Sequence, residues 1–351
     1  DLMRIILINM YDVMEENFDN AQLKGLLSLD SLLGSHMGPR TPSTVFGYLY
    51  RRVGEVFGHA GHAQVKGGMG ALGQAMAASA RAAGVEIRLS SAVASIDVDA
   101  GRVTGVTLAD GEQISAGIVV SNADPITTFE RLVGLRNLET DTARRVSQIR
   151  CTGGTAKLHL ALNGLPAFTG LQERQLGQRL VIAPDMNYIE RAFNAVKYKE
   201  YSTAPALDIS IPTVHDAGLA PAGAHVLSAI VQFAPYAPQG GWEAHRETFT
   251  QLVVECIARY APGIEQQIVA SELLTPADLE RDYGMTGGHW HHGELGMDQV
   301  LMMRPFPGAT QYNAAFDGLY LCGAGAHPGG GVMGLAGRNA AREIIKRGAA
   351  A

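Results

Sequence analysis

Along the first sixty or so residues the apolar positions recur at helical spacing, with one interruption at Gly34-Ser35-His36-Met37-Gly38-Pro39, whose glycine and proline content marks a loop. After that loop Phe46, Leu49, Tyr50 and Val53 give the next helix one buried face. A sharper pattern starts at Gly67-Gly68-Met69-Gly70. Leu72, Ala75, Met76, Ala80 and Ala83 follow at helical spacing and Gly84 stops the run, which predicts a glycine-opened helix. The period then changes to two. Val85, Ile87 and Leu89 alternate with Glu86 and Arg88, and short strands are expected over 96–98, 103–108 and 113–114, separated by the tight-turn dipeptides Ala100-Gly101 and Asp110-Gly111. This predicts a β-meander. It ends in Ile118-Val119-Val120, an apolar triplet suited to a strand buried on both faces, and Ser121-Asn122-Ala123-Asp124-Pro125 terminates it.

From Gly153 to Phe233 four strand-like runs follow, at 155–162, 180–182, 207–211 and 225–233, with polar, proline-containing connections between them. An antiparallel sheet is the expected result. A helix is expected over 242–260, with Phe249, Leu252, Val253, Cys256 and Ile257 on one face and Pro262-Gly263 after it. Near the end of the chain, the short strand Leu319-Tyr320-Leu321-Cys322 runs into Gly323-Ala324-Gly325-Ala326-His327-Pro328-Gly329-Gly330-Gly331. Val332, Leu335, Ala336, Ala340, Ile344 and Ile345 then mark a helix to Lys346. In a strand–glycine-turn–helix, glycine lets the backbone approach a ligand, and the free N–H groups of the helix start favour anionic or electron-rich atoms.

Composition narrows the function classes. A chain of 351 residues, 46% of them hydrophobic, can bury a large core and hold two domains. The net charge is −6 and no basic block is present, which speaks against a nucleic-acid partner. No apolar run approaches the roughly 20 residues of a membrane helix, although peripheral contact with a membrane surface stays open. Cys151, Cys256 and Cys322 are odd in number and widely spaced, so they suggest neither a disulfide framework nor a metal site, and a reducing compartment fits them best. The chain starts at Asp1 without an initiator Met, as at a fragment boundary. The 42 glycines are clustered in the motifs above. His289, His291 and His292 have the look of a metal cluster, but two of them are adjacent and no carboxylate or thiol stands at a supporting spacing, so no metal is expected. His292 can line an active site, and His327 sits inside the glycine turn; these two are the catalytic candidates. Cys322 reads as a small hydrophobe at a strand end, and Arg40, Thr41 and Ser43 as a solvated loop.

Three motifs, Lys66-Gly67-Gly68-Met69-Gly70-Ala71-Leu72, Ser121-Asn122-Ala123-Asp124-Pro125 and Leu319 through Val332, resemble in order and spacing the phytoene-dehydrogenase-like flavoproteins, which are FAD-dependent oxidoreductases. The stretch from His292-Gly293-Glu294 through Asp298-Gln299 to Arg304-Pro305 is also similar. The resemblance covers nearly the whole chain. It implies an α/β (α+β) fold: an incomplete, Rossmann-like FAD-binding domain, and a substrate domain with an antiparallel sheet and helices. Residues 1–60 would be the helical part of the substrate domain, 61–150 a partial FAD-binding domain with the meander, 151–310 the substrate domain, and 311–351 the strand, loop and helix that close the FAD-binding domain. Members of the family start with a strand, a G-x-G-x-x-G turn and a helix for the FAD pyrophosphate. No such unit stands in this sequence, so the expectation is the C-terminal two-thirds of an enzyme, with weak or no flavin binding and activity alone.

By the same resemblance Val93 would contact the adenine through its backbone. Gly323, Gly325, Gly329, Gly330, Gly331, Val332 and Met333 would line the ribityl chain and the isoalloxazine edge, and the last helix would point its N-terminus at a flavin carbonyl. The implied reaction moves hydride from a C–H bond of a small apolar or isoprenoid-like substrate to flavin, with amine oxidation as a variant. The rival reading is a catalytically incompetent module that binds an apolar ligand or self-associates as a homo-oligomer. Cytoplasmic location, or the mitochondrial matrix in a eukaryote, goes with either.

Overall fold

The structure is a computed structural model and describes residues 2–58, 63–313 and 315–348. Four helices open the chain: α1 (Leu2–Leu7), α2 (Met10–Asn17), α3 (Ala21–Asp30) and α4 (Thr44–Arg52). Asn9 and Asn20 cap α2 and α3, their side chains accepting from the N–H groups of Asp12 and Leu23. The glycine-opened helix is α5 (Met69–Ala82). The meander follows as β1 (Val93–Asp99), β2 (Arg102–Leu108) and β3 (Gln113–Ser115), then β4 (Val119–Ser121), a π-helical stretch Thr127–Gly134 and α6 (Thr140–Ser147). Next come β5 (Thr155–Leu162), β6 (Leu180–Ile182), α7 (Met186–Lys197), β7 (Ala206–Ser210), β8 (His225–Gln232) and α8 (Trp242–Ala258). The chain finishes with α9 (Ile264–Gln267), β9 (Ile268–Leu274), α10 (Pro276–Tyr283), β10 (Leu319–Leu321) and α11 (Leu335–Lys346). Among the described residues no helix is long and apolar enough to cross a membrane.

The fold divides into two compact units, 1–87 with 154–277 and 88–153 with 278–351. In the first, an antiparallel sheet runs in the order β6-β7-β8-β5-β9. Period-two alternation gives it two different faces. Leu158, Leu160, Leu207, Ile209, Leu227 and Val231 are buried with Phe249, Val253 and Ile257 of α8. Each such aliphatic side chain contributes roughly 1.5–3 kcal/mol on burial. The opposite face carries Lys157, His159, Asp208, Ser210 and Ser228. A second core joins α3 and α7 through Leu29, Leu32, Ile189 and Phe193. The Gly34 loop packs inside this unit because Gln232 satisfies its backbone. Its Nε2 donates to Leu32 O at 3.0 Å and Ser35 O at 2.9 Å, and its Oε1 accepts from Gly34 N at 3.1 Å.

The second unit holds the meander, in the order β1-β2-β3, and a parallel pair, β4 with β10. Ile96 and Val103 of the meander share a core with Phe129, Phe306, Leu319, Leu321, Ala336 and Ala340.

Several expectations change. Residues 85–89 form no strand; Leu89 is 80% exposed, and without a partner strand the alternation is only a pattern. The triplet at 118–120 is not buried on both faces, since Val120 is 44% exposed and, among the described residues, β4 pairs with β10 alone. Helix α7 and strand β9 occupy stretches not expected to carry elements. The segment 63–87 groups with the first unit and 278–310 with the second, so the boundaries expected at 150 and 310 fall at 153 and 277. The boundary expected at 60 lies outside the described residues.

Candidate functional site

In the second unit β4 and β10 run parallel with Leu319 opposite Val119 and Leu321 opposite Ser121, so both strands release their loops at the same end. The C-terminal edge of parallel strands is where such folds place ligands. Two glycines there answer to the neighbouring chain. A Cβ on Gly323 would stand 2.5 Å from Asn122 O, and one on Gly325 2.4 Å from Pro125 Cδ. Only glycine lets the two loops touch.

Two buried charges fix this corner. Asp124, fully buried, accepts from the Thr127 N–H at 2.9 Å, Thr127 Oγ1 at 2.7 Å and Thr286 Oγ1 at 2.7 Å. Arg304, 2% exposed, donates through Nε and Nη2 to Ala324 O at 3.1 and 2.9 Å, through Nη1 to Gln299 O at 3.1 Å, and through Nη2 to His291 O. The guanidinium thereby clamps the glycine turn to the histidine-rich segment. His292 lies at that junction, its Cβ 3.4 Å from the Cβ position of Gly325, and its Nδ1 is buried without a hydrogen-bond partner. His327 Nδ1 is likewise buried and unpartnered. Burial pushes the His292 pKa down, with Asp124 opposing.

Beyond the turn, Val332 and Met333 are exposed, and Val332 holds φ 60°. A β-branched residue in the left-handed region is strained. Gly334 precedes α11 with φ 66°, and no side chain caps the helix start. An exposed apolar, strained segment in front of free helix N–H groups fits the edge of a flavin, as do the unpartnered ring nitrogens of His292 and His327.

In the first unit the polar face of the sheet floors a cleft of about 1180 Å³ whose lining includes Arg51, Lys157, His159, Arg179, Asp208 and Ser228. Lys157 and Asp208 both stand opposite Ile230 of β8, on the two strands that flank it. Arg179 Nε donates to Asp208 Oδ2 at 2.9 Å, and Arg179 also pairs with Asp30, which pairs with Arg52 at 2.7 Å. His159 Nδ1 lies 3.1 Å from Ser228 Oγ.

Residues 21–345 match the family described as flavin containing amine oxidoreductase. The chain belongs to this family. Pyridine nucleotide-disulfide oxidoreductase domain-containing protein 2 from Mus musculus is 37% identical over 347 residues, covering 95% of this chain and 60% of that protein. A phytoene desaturase (neurosporene-forming) from Cereibacter sphaeroides is 29% identical over 283 residues, covering 77% and 51%. The chain thus spans at most about 60% of the length of these relatives. An oxidoreductase from Methanosarcina mazei superposes with a TM-score of 0.61 at 16% identity, over 97% of this chain and 68% of that one. A putrescine oxidase triple mutant gives 0.62 at 15%, over 98% and 69%. The chain therefore has the mixed α/β fold of the flavin containing amine oxidoreductases, with antiparallel sheets and helices.

Within that family fold the structure brings together the glycine turn, His292 and His327, but it leaves Val93 aside. Val93 opens β1, opposite Leu108, and stands outside the core that joins the meander to β10. Gly329 is buried, Gly330 half-buried and Gly331 exposed. His289 and His291 are buried, the former 3.6 Å from Glu294 Oε1, and among the described residues no three His, Cys, Asp or Glu side chains are grouped to hold a metal. Burial raises the thiol pKa of Cys322, and burial with nearby Asp124 raises that of Cys151 to about 12, so neither is a thiolate at neutral pH. Ser43 is buried rather than solvated, whereas Arg40 is exposed and stacks on Tyr11 at 3.6 Å. The residues that sequence reasoning missed are Lys157, Arg179 and Asp208; the alternation in β5 and β7 could have placed Lys157 and Asp208 on one face, but Arg179 precedes β6 and carries no such signal.

Proposed function

We propose that this chain carries the flavin-edge loop and the substrate sheet of an FAD-dependent oxidoreductase. The supporting observation is that a family match over residues 21–345 includes a strand–glycine-turn–helix whose exposed end, Gly331 to Gly334, leads into a helix with free N–H groups. Bound FAD would supply the hydride acceptor for a substrate C–H bond. The chain's own part is to hold and orient. Gly329 to Met333 and the start of α11 would meet the isoalloxazine edge, where helix N–H groups stabilise charge on the reduced ring. Gly323 and Gly325 would shape the turn by admitting the 122–125 loop. His292, whose pKa is pushed down by burial, would face the flavin as a neutral imidazole, and His327 would stand beside it. The adenine contact of Val93 rests on the resemblance alone.

Relatives named phytoene desaturase and prolycopene isomerase support an apolar or isoprenoid-like substrate. The free thiols of Cys151, Cys256 and Cys322 suit a reducing compartment, the cytoplasm or a mitochondrial matrix. The exposed apolar side chains of Val56, Leu89, Met302 and Val332 favour a second reading, a binding module that self-associates or takes an apolar ligand.

The test is the visible absorbance of the purified chain after incubation with FAD and desalting, beside a version extended upstream through any G-x-G-x-x-G unit. Flavin bands retained by the extended form, and weakened in it by Gly331→Val, are the expected result. Absence of the bands from both forms removes the oxidoreductase reading and leaves the binding module.

A further inference from the structure

The cleft over the first unit's sheet treats its two signs of charge differently. Its carboxylates are engaged: Asp208 by Arg179 at 2.9 Å, and Asp216 by the Gly67 N–H at 2.6 Å. Its cations are engaged only in part. Lys157 and Arg51 line the cleft and make neither a hydrogen bond nor an ion pair with a described residue. Arg179 keeps Nη2 buried and unpartnered even after binding two carboxylates. Lys157 is half-buried and Arg51 exposed; burial lowers the pKa of both, with Asp208 opposing at Lys157 and Asp30 and Asp208 opposing at Arg51. A half-buried ammonium such as Lys157 is costly when no hydrogen-bonded counter-ion holds it, and a bound anion would offset that cost.

The lining also includes Val65, Met69, Leu219 and Ile230, an apolar wall that could cover a hydrocarbon body. We propose that this cleft binds an organic anion, with a carboxylate or phosphate head held by Lys157, Arg51 and the free edge of Arg179 and an apolar body against Ile230 and Leu219. Guanidinium groups suit such heads because they donate two parallel N–H groups to an oxyanion. An amine cation would meet unpaired positive charge instead. His159 and Ser228 add polar atoms beside the head, which hydrogen-bond each other at 3.1 Å and remain available to a second acceptor or donor. That the anion is the enzyme's substrate rests on the flavoenzyme reading; that the cleft binds one does not.

The experiment is a calorimetric titration of the chain, without FAD and at low ionic strength, with four probes sharing one tail: hexanoate, hexyl phosphate, hexanol and hexylamine. One or both anions should bind measurably, and roughly tenfold or more above hexanol and hexylamine, the scale of one charge-assisted hydrogen bond. Hexanoate ahead of hexyl phosphate identifies a carboxylate site, and the reverse order a phosphate site. Lys157→Met and Arg51→Met should each lower anion affinity about tenfold while leaving the circular dichroism spectrum in place and the melting temperature no lower than in the parent chain. The melting curves separate lost binding from lost folding, and Arg259→Met on the same unit is the charge-matched control. Equal binding of all four probes, no anion binding, or a loss with Arg259→Met as large as with Lys157→Met overturns the proposal. Failure to retain FAD would leave these outcomes unchanged, so the two readings fall separately.

Discussion

The corner around Arg304 and the cleft around Lys157 are both rich in charge, yet they handle it in opposite ways. At the corner, one guanidinium serves the backbone carbonyls of His291, Gly293, Glu294, Gln299 and Ala324 and one carboxylate takes three donors, so the charges hold loops together. In the cleft, Lys157 and Arg51 make neither a hydrogen bond nor an ion pair with a described residue. A satisfied buried network specifies structure, whereas an unsatisfied one costs stability and points outward to a ligand. The histidines and glycines that are conspicuous in the sequence lie at the corner, where the Arg304 and Asp124 charges are satisfied and the His292 and His327 ring nitrogens are not, whereas the cleft's cations come from residues with no motif around them.

The comparison breaks most readily at Arg304. Arg304→Ala strips donors from the carbonyls of Ala324, Gln299 and His291, and with roughly 1–3 kcal/mol for each buried group left unpaired, a loss of about 3 kcal/mol or more is expected. Urea unfolding gives the value, and a loss below about 1 kcal/mol would show that the clamp is ornamental. Gly325→Ala comes next. Its new methyl would lie 2.4 Å from the Pro125 ring, and the overpacking should cost roughly 1–3 kcal/mol in the same assay.

Lys157→Met should act in the other direction. Removing an unpaired, partly desolvated ammonium is expected to raise stability by up to about 1 kcal/mol while anion binding falls. A destabilised variant would mean that Lys157 has a structural partner after all, and the contrast between the two regions would disappear.

How far the sequence reveals these regions follows from what each depends on. Strand β5 was legible because Leu158 and Leu160 alternate with Lys157 and His159, and β8 because Val226 to Val231 is a mostly apolar, β-branched-rich run. Helix α7 carries Ile189, Phe193 and Val196 at helical spacing, a signal hidden by the polar, proline-containing flanks. Strand β9 is an edge strand exposed over residues 269–272 with Leu273 buried, so it offers little alternation for the sequence to show. The glycine turn was legible as a motif, but the reason for Gly323 and Gly325, contact with Asn122 and Pro125, is set by residues some 200 positions earlier. Likewise nothing local to Lys157 says that Arg51 lines the same cleft.

His292 sharpens the contrast through pH. Burial holds its pKa below the ordinary histidine value near 6.5, so the unfolded chain takes up that proton before the folded one does. The contribution of the neutral ring is complete above about pH 6.5 and is lost as pH falls toward and through the folded pKa. Urea midpoints between neutral and mildly acidic pH should therefore decline less steeply in His292→Gln than in the parent chain. Parallel slopes would place the acid sensitivity elsewhere.

The smallest effect expected separates two kinds of glycine. Gly70 lies in the first turn of α5 within the Gly67 motif, with nothing within 4 Å of the Cβ it lacks and a helical backbone that any residue can adopt. Gly70→Ala should raise stability by roughly 0.4–1 kcal/mol, because alanine restricts the unfolded chain and suits a helix. Gly325 has the opposite environment, so the same substitution should change sign between the two sites. If Gly70→Ala also leaves FAD retention unchanged in the upstream-extended form, the glycine has no part in closeness to a ligand. Lost retention with raised stability would instead mean that the open space beside Gly70 is where the flavin approaches.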